Sequence, residues 1–501
     1  MLLKRSRPIA IPTLTLATLI ALMAPSTLLA EATPALEGWL SIAWGDAGPG
    51  AEPGRYHNVT LTADDGRSTR LSMSPELLNA HVLRWNGRRV TVFPSANQDG
   101  LAQDGLAQEG LTHEAAVRVA ALQLAADSSD PSALRGAVTG SQPWISLLCK
   151  FSDISAEPEN LSFFQNMYAN SPGRLDHYWR EVSAGQVDIV GSTAVDWVDL
   201  PGTQVSYAPT PGSGTTANLN AVFNDCTAAV DAFVDFSGGG EPYAGINIMV
   251  NDALDCCAWG GSRFATLDGI TKSWRTTWNP PWAFRAAGVI AHEMGHGFGL
   301  PHANNWDGDS NPYDSPWDVM SSATGYAVND GTYGALGKHV NAHHKDSLGW
   351  FAAARRFVAP PNSETTLQLD DTALANSSNY QFARIDTPDG RFYTVESRIR
   401  RGNYEGGLVS DAVIIHEVDF SRSEPSWSVD EDVPPANYAD NPGTIWLPGE
   451  TFTNAADQVS VRVDFATADG FTVTITRGEV GTIFQDGFES GDTSFWSEQA
   501  P

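Results

Sequence analysis

The stretch VIAHEMGHGFGLPHANN, residues 289–305, holds three of the chain's eleven histidines and one glutamate between His292 and His302. His292 and His296 stand four apart. On a 3.6-residue helix their imidazoles project from one face, one turn above the other. That spacing lets two rings bind one metal ion. Glu293 is rotated by about 100° from His292, too far to serve comfortably as a third ligand. It can still reach a water held by the metal. Gly295, Gly297 and Gly299 weaken the helix where it should end. A glycine at 299 can take positive φ and turn the chain sharply. The turn brings His302 to the same metal from another direction. Three neutral nitrogens with one corner open to solvent are the donor set of a catalytic zinc, whereas a structural zinc takes four protein ligands.

The segment before the motif predicts one helix running into it. Asn279 is the expected N-cap, with Pro280 in the first turn. Ala283, Ala287, Ile290 and Met294 share an apolar face. The expected chemistry is amide hydrolysis. Zinc acidifies its water to a pKa of roughly 7 and polarises the scissile carbonyl. Glu293 takes the proton as general base and hands it to the leaving amine.

HEMGHGFGLPH matches the long zinc motif of the metzincin metallopeptidases. Within that clan the chain resembles the gametolysin-type peptidases and the related immune-inhibitor-A type. The stretches LLCKFSD, YWREVSAGQVDIVG, YDSPWDVMSS and HHKDSLGW carry the resemblance over about residues 144–355. YTVESR and AVIIHEVD extend it weakly towards the C-terminus. The resemblance implies one catalytic zinc on His292, His296 and His302, with Glu293 as the catalytic residue. It also implies a methionine turn beneath the metal, supplied by Met320 without touching zinc. Some metzincins place a tyrosine ligand two residues after that methionine. Here Ser322 stands there, and Tyr326 and Tyr333 are the nearby alternatives.

Composition sets the compartment and the partners. The formal net charge is −29. Such a surface repels nucleic acid and anionic membrane alike. Carboxylate clusters make calcium a second possible ion. Lys4, Arg5 and Arg7 precede an apolar run, and Ala30 and Ala32 follow it, the pattern of a secretory signal peptide. No later stretch reaches the length of a membrane span. A secreted, monomeric protein is expected, with a polypeptide as its partner. Export permits disulfides among Cys149, Cys226, Cys256 and Cys257. Pairing the neighbours Cys256 and Cys257 would be strained, so a bridge from that pair back to Cys226 or Cys149 is favoured. Cys149 sits in an apolar strand, which suits a buried thiol or a disulfide better than a thiolate on zinc.

The organisation that follows is an α+β multidomain chain. Residues 1–30 are the signal peptide. Residues 31–126 form a small β-barrel or sandwich, a propeptide or accessory unit, interrupted by a period-five repeat at 98–112. Residues 127–143, polar with Gly, Ser and Pro, are a linker. Residues 144–355 form a metzincin-like α/β catalytic domain. In it GINIMVND is the candidate edge strand for an extended substrate, and residues 217–234 are a helix with Leu219, Phe223, Cys226, Val230 and Phe233 on one face. Residues 356–478 alternate apolar and polar in short runs, a β-sandwich. Residues 479–501 are an acidic tail with a possible surface-retention role. His339 and His343 read as a solvated helix face, and His416 as structural, with Glu417 on the opposite strand face. The competing reading from another class is a secreted adhesin that keeps a structural metal.

Overall fold

The computed structural model describes residues 34–97, 116–125, 137–240, 242–309 and 311–478. The signal segment, the period-five repeat, most of the linker and the acidic tail lie outside them. Among the described residues strands dominate and helices are few and short.

The N-terminal unit is a closed five-strand barrel. Its strands are β1 (Leu36–Ala47), β2 (Tyr56–Thr62), β3 (Ser68–Ser72), β4 (Arg89–Pro94) and β5 (Val117–Leu124). They run in the order β2-β3-β5-β4-β1, and a second pairing of β1 with β2 closes the ring. Period-two alternation drives this. Leu40, Ile42, Val59, Leu61, Val90 and Val92 all point into one buried core. Each such side chain contributes about 1.5–3 kcal/mol of burial.

One edge of β1 does two jobs. Leu36–Trp39 pair with β4. Further along, Ala43–Ala47 pair antiparallel with a strand of the central region. The barrel sheet therefore continues into a second set of strands: β6 (Trp144–Lys150), β7 (Thr193–Asp199), β8 (Gly245–Val250), β9 (Cys257–Leu267) and β10 (Ile270–Asn279). The ten-stranded order is β2-β3-β5-β4-β1-β9-β10-β8-β6-β7. The pairs β10–β8, β8–β6 and β6–β7 are parallel. β9 runs antiparallel to β10, and they meet at an Asp268-Gly269 turn whose residues both have positive φ.

This order corrects the expected substrate edge. GINIMVND is β8, buried along its length between β10 and β6. Its apolar run, broken only by buried Asn247, is the mark of a central parallel strand, covered on both faces. The outer strands of the central set are β7, which ends the ten-stranded sheet, and β9, against which β1 lies.

The helix Leu219–Val230 buries Leu219, Phe223, Cys226 and Val230, and Cys226 is bonded to Cys149 at the end of β6. Phe233, expected on the same face, lies beyond the helix end and is 62% exposed. The second disulfide joins Cys256 to Cys257, against the expected cross-link from this pair to the other two cysteines. Cys149 and Cys226 lie 6.0 Å apart at Cα and satisfy each other, which leaves the neighbours to pair.

The single helix expected from Asn279 onward is broken in two. Asn279 ends β10. Pro281–Phe284 make one turn, with Pro281 at its first position. Ala286 is extended and starts the motif helix, Ala287–Phe298, every residue of which is buried. Gly299 ends it at φ 99°, as its place in the sequence predicts.

Residues 356–478 form two sheets around one core. Ser363–Asp370, Gly470–Arg477, Val459–Ala466 and Thr451–Asn454 make the first. The second is six-stranded and includes Phe382–Asp386, Phe392–Arg398, Ala412–Val418 and Ser426–Ser428. Leu369, Val461 and Val473 of one meet Ile385, Val395 and Ile415 of the other. The last strand of the second sheet is Ala303–Asn305, parallel to Ser426–Ser428 and directly after His302. Among the described residues no helix is long and apolar enough to cross a membrane.

Candidate metal centre

The three motif histidines converge. Nδ1 of His292 lies 2.6 Å from the Val319 carbonyl, and Nδ1 of His296 lies 2.7 Å from the Leu300 carbonyl. Each Nδ1–H donates there, which leaves Nε2 with its lone pair facing the centre. Nε2 of His296 is 3.1 Å from Nε2 of His292 and 3.2 Å from Nε2 of His302. A tetrahedral zinc with bonds of about 2.05 Å needs ligand nitrogens about 3.3 Å apart. The three rings therefore fit one metal ion.

Met320 lies beneath them. A Cβ at Gly295 would come 2.4 Å from its sulfur, so the glycine admits the thioether against the helix. Asp318 fixes the turn by accepting the Met320 N–H at 2.7 Å. The Ala303 N–H donates to the Met320 carbonyl at 3.0 Å, which ties the segment after His302 to the same turn.

The fourth corner, expected open, is filled. Asp46, near the end of β1, places Oδ1 3.0 Å from His292 Nε2 and 2.9 Å from His302 Nε2. Its Oδ2 is 3.4 Å from His296 Nε2. Burial opposes charge on Asp46, but His292 and His302 outweigh it and hold the carboxyl well below its ordinary range. Burial takes His296 down to about 3. Trp44, two residues before Asp46 and on the same strand face, stacks on the His296 ring at 4.9 Å between centroids. Asp46 and the three histidines form a buried four-donor group able to hold a metal ion.

Asp46 is the residue that motif spacing misses. A signal exists in the strand. Leu40, Ile42, Trp44 and Asp46 share one parity, so a carboxylate continues the buried face of an apolar run.

Glu293 is fully buried, and neither carboxylate oxygen has a hydrogen-bond partner among the described residues. Burial, with Asp46 nearby, raises its pKa well above the usual carboxylate range. β9 makes room for it. A Cβ at Gly260 would lie 2.8 Å from Oε2 of Glu293 and 2.4 Å from its backbone oxygen.

The two tyrosines named from sequence point elsewhere. The Tyr326 hydroxyl donates to Asp440 and that of Tyr333 to the Phe163 carbonyl. Ser322 bonds the Tyr438 hydroxyl. The tyrosine at the centre is Tyr313, whose ring lies 5.7 Å from that of His302. Its hydroxyl accepts from the Ala47 N–H at 3.2 Å and donates to the Gly45 carbonyl at 3.3 Å, on either side of Asp46.

His339 and His343 are buried, not solvated. His343 packs on Phe392 and Phe420, and Nδ1 of His339 lies 3.1 Å from the Lys345 ammonium, so neither offers a second histidine metal site. His416 is buried within its strand, while Glu417 pairs with Arg391 and Arg422. Two further groups bring candidate ligands together. In the first, Cys256 and Cys257 are consumed by their disulfide. In the second, Asp307, Asp309 and Asp314 each bring a carboxylate oxygen within 4.8 Å of the others, a hard donor set of the kind calcium takes.

A scan of the sequence against protein-family models finds no match, and a search of curated proteins finds no significant similarity.

Proposed function

We propose that this chain is a secreted zinc-dependent endopeptidase of the gametolysin-type metzincin class. The observation that carries the reading is the convergence of three imidazole Nε2 atoms beside a buried carboxylate with no partner of its own. His292, His296 and His302 would hold the ion, and Met320 would support them from below. A zinc held by three imidazoles acidifies water and polarises a carbonyl. The remaining work falls to the protein. Glu293 takes one proton from the attacking water as its oxygen bonds to the amide carbon. It then delivers that proton to the amine as the C–N bond breaks. The outer edge of β9 supplies backbone groups on which an extended polypeptide can be aligned. Two disulfides and the absence of any membrane-length helix among the described residues are compatible with an extracellular site of action.

The test is digestion of casein or gelatin with and without a chelator, alongside Glu293→Gln. The variant should keep its metal and lose turnover. A second reading, an adhesin with a structural metal, draws on Asp46, because four buried protein donors are what a structural zinc takes. Glu293 weighs against it, since burying an unpaired carboxylate is costly and a structural site has no use for one. A fully processed, zinc-loaded protein that cleaves nothing in a broad peptide library would favour the adhesin.

A further inference from the structure

The loop between Ala303–Asn305 and the methionine turn is rich in oxygen donors. Asp307, Asp309 and Asn311 stand at every second position, and Asp314 follows. Each of the first three accepts the backbone N–H two residues on: Asp307 from Asp309 at 2.9 Å, Asp309 from Asn311 at 2.6 Å and Asn311 from Tyr313 at 3.2 Å. In both aspartates that bond uses Oδ1. The buried end of the loop is the part that calls for a ligand. Asp314 is completely out of water. Its Oδ1 accepts from the Asn305 N–H at 3.3 Å, and its Oδ2 has no hydrogen-bond partner among the described residues. A carboxylate so placed is costly without a counter-charge. Instead of a cation it meets two more carboxylates, because Asp307, Asp309 and Asp314 each offer an oxygen within 4.8 Å of the others. Arg55 does come to this loop, but its guanidinium donates to the Asp309 carbonyl at 2.7 Å and pairs with Glu424 at 2.8 Å.

We propose that Asp307, Asp309 and Asp314 bind one calcium ion, and that this ion braces the loop between His302 and Met320. The donor set selects the ion. It holds carboxylates only, with neither imidazole nor thiolate, which suits a hard cation. Calcium–oxygen bonds of about 2.4 Å set opposite ligands about 4.8 Å apart, a spread that three oxygens in this arrangement can span. Magnesium bonds of about 2.1 Å draw ligands to within about 4.2 Å, and magnesium gives up its water reluctantly. With Asp309 exposed, an affinity of about 10⁻⁴ M is expected, as in extracellular calcium modules.

The position of the site gives the ion its work. Asp314 is bonded to Asn305, three residues after His302. The next residue, Ser315, donates its N–H to the Ser321 hydroxyl at 3.0 Å, and its carbonyl accepts the Ser322 N–H at 3.2 Å, which closes the chain around Met320. The Ala439 N–H donates to the Asp314 carbonyl at 2.9 Å and backs the same point from the C-terminal region. An ion on Asp314 therefore fixes the path from the third histidine to the methionine turn. The brace rests on the metal-centre reading above, whereas the calcium site stands without it.

The experiment uses the full chain, stripped of metals and reloaded with zinc, in calcium up to about 10 mM. Magnesium at the same concentration controls for diffuse binding to the acidic surface. Terbium luminescence sensitised by Trp306 should saturate at one ion per chain, yield to calcium and fall about tenfold in Asp314→Asn. Asp309→Asn, at an exposed position, serves if that variant folds poorly. Calcium, and not magnesium, should raise the melting temperature by about 5 °C. It should also slow zinc loss to a zinc-selective dye by about tenfold. A wild-type chain without these calcium and terbium responses, or variants that keep them unchanged, overturns the site. Calcium responses lost in the variants, with zinc loss the same in all samples, overturn the brace and keep the site. A chain that binds terbium as expected and holds no zinc overturns the metal-centre reading, and with it the brace, and leaves the calcium site standing.

Discussion

Two buried polar clusters lie close together in this protein, and they are finished differently. Under the methionine turn, Asp318 accepts from the Met320 and Asn341 backbone N–H groups and pairs with His344 at 2.7 Å. Beside it, Arg398 donates to Glu405 at 2.9 Å and to the Trp317 carbonyl, while Glu405 takes the His339 N–H at 3.0 Å. At the metal centre, both Glu293 oxygens, Asp46 Oδ2 and His302 Nδ1 lack hydrogen-bond partners among the described residues. Satisfied buried charge fixes architecture, and unsatisfied buried charge waits for a ligand or a reaction. The contrast lies in particular carboxylates, because Nε2 of His339 and of His344 and both Glu396 oxygens also lack hydrogen-bond partners among the described residues; Asp318 and Glu405 are paired and hold the turn, and Glu293 is the residue on which the proposed chemistry rests.

The largest expected effect falls on the unsatisfied side. Glu293→Gln should reduce peptide turnover about 10²–10⁴-fold, the usual share of a general base. Its melting temperature should not fall, because the change removes a buried carboxylate that has no partner. A clear drop in melting temperature would blur the contrast. Arg398→Met should do the reverse, costing about 3–5 kcal/mol because Glu405 is left charged and buried without its guanidinium, with the His339 N–H bond remaining. Urea unfolding reads this, and a loss under about 1 kcal/mol would show that the pair does not hold the turn.

The same pair gives a pH test. Burial alone would raise the Glu405 pKa, but Arg398, His339 and Lys345 override it and bring it from an ordinary 4.5 down to about 2. A depressed carboxyl stabilises the fold above its unfolded pKa. Stability linked to Glu405 is thus complete above pH 4.5 and disappears as pH falls towards about 2. Glu405→Gln should flatten this part of the stability curve. The smallest effect is expected for Met320→Leu, a near-isosteric change costing less than about 1.5 kcal/mol. Zinc affinity should change little, since sulfur packs on Gly295 rather than on the metal.

Local chemistry was legible in the sequence and long-range closure was not. His292, Glu293 and His296 announce themselves because helix geometry converts their spacing directly into direction, and His302 does so because Gly299 ends the helix just before it. Met320 is reached only through the resemblance carried by YDSPWDVMSS. Asp46 stands 256 positions from His302, and only the pairing of β1 with β9 brings them together. The substrate edge was misread for a related reason. A largely apolar strand such as GINIMV shows that it is buried, and β7 and β9 are identified as the outer strands of the central set only once the sheet order is known. His339 and His343 look solvated because their neighbours are polar, yet the C-terminal sheets cover them.

The short strand Ala303–Asn305 ties ligand placement to the order of synthesis. Its hydrogen-bonded partner, Ser426–Ser428, emerges from the ribosome more than a hundred residues after His302. A nascent chain that has made the helix but not yet that later strand has two imidazoles in place and a third without its backing. Firm capture of an ion by this group would therefore belong to the end of translation or to the folding that follows it, after the barrel that carries Asp46 has long been made.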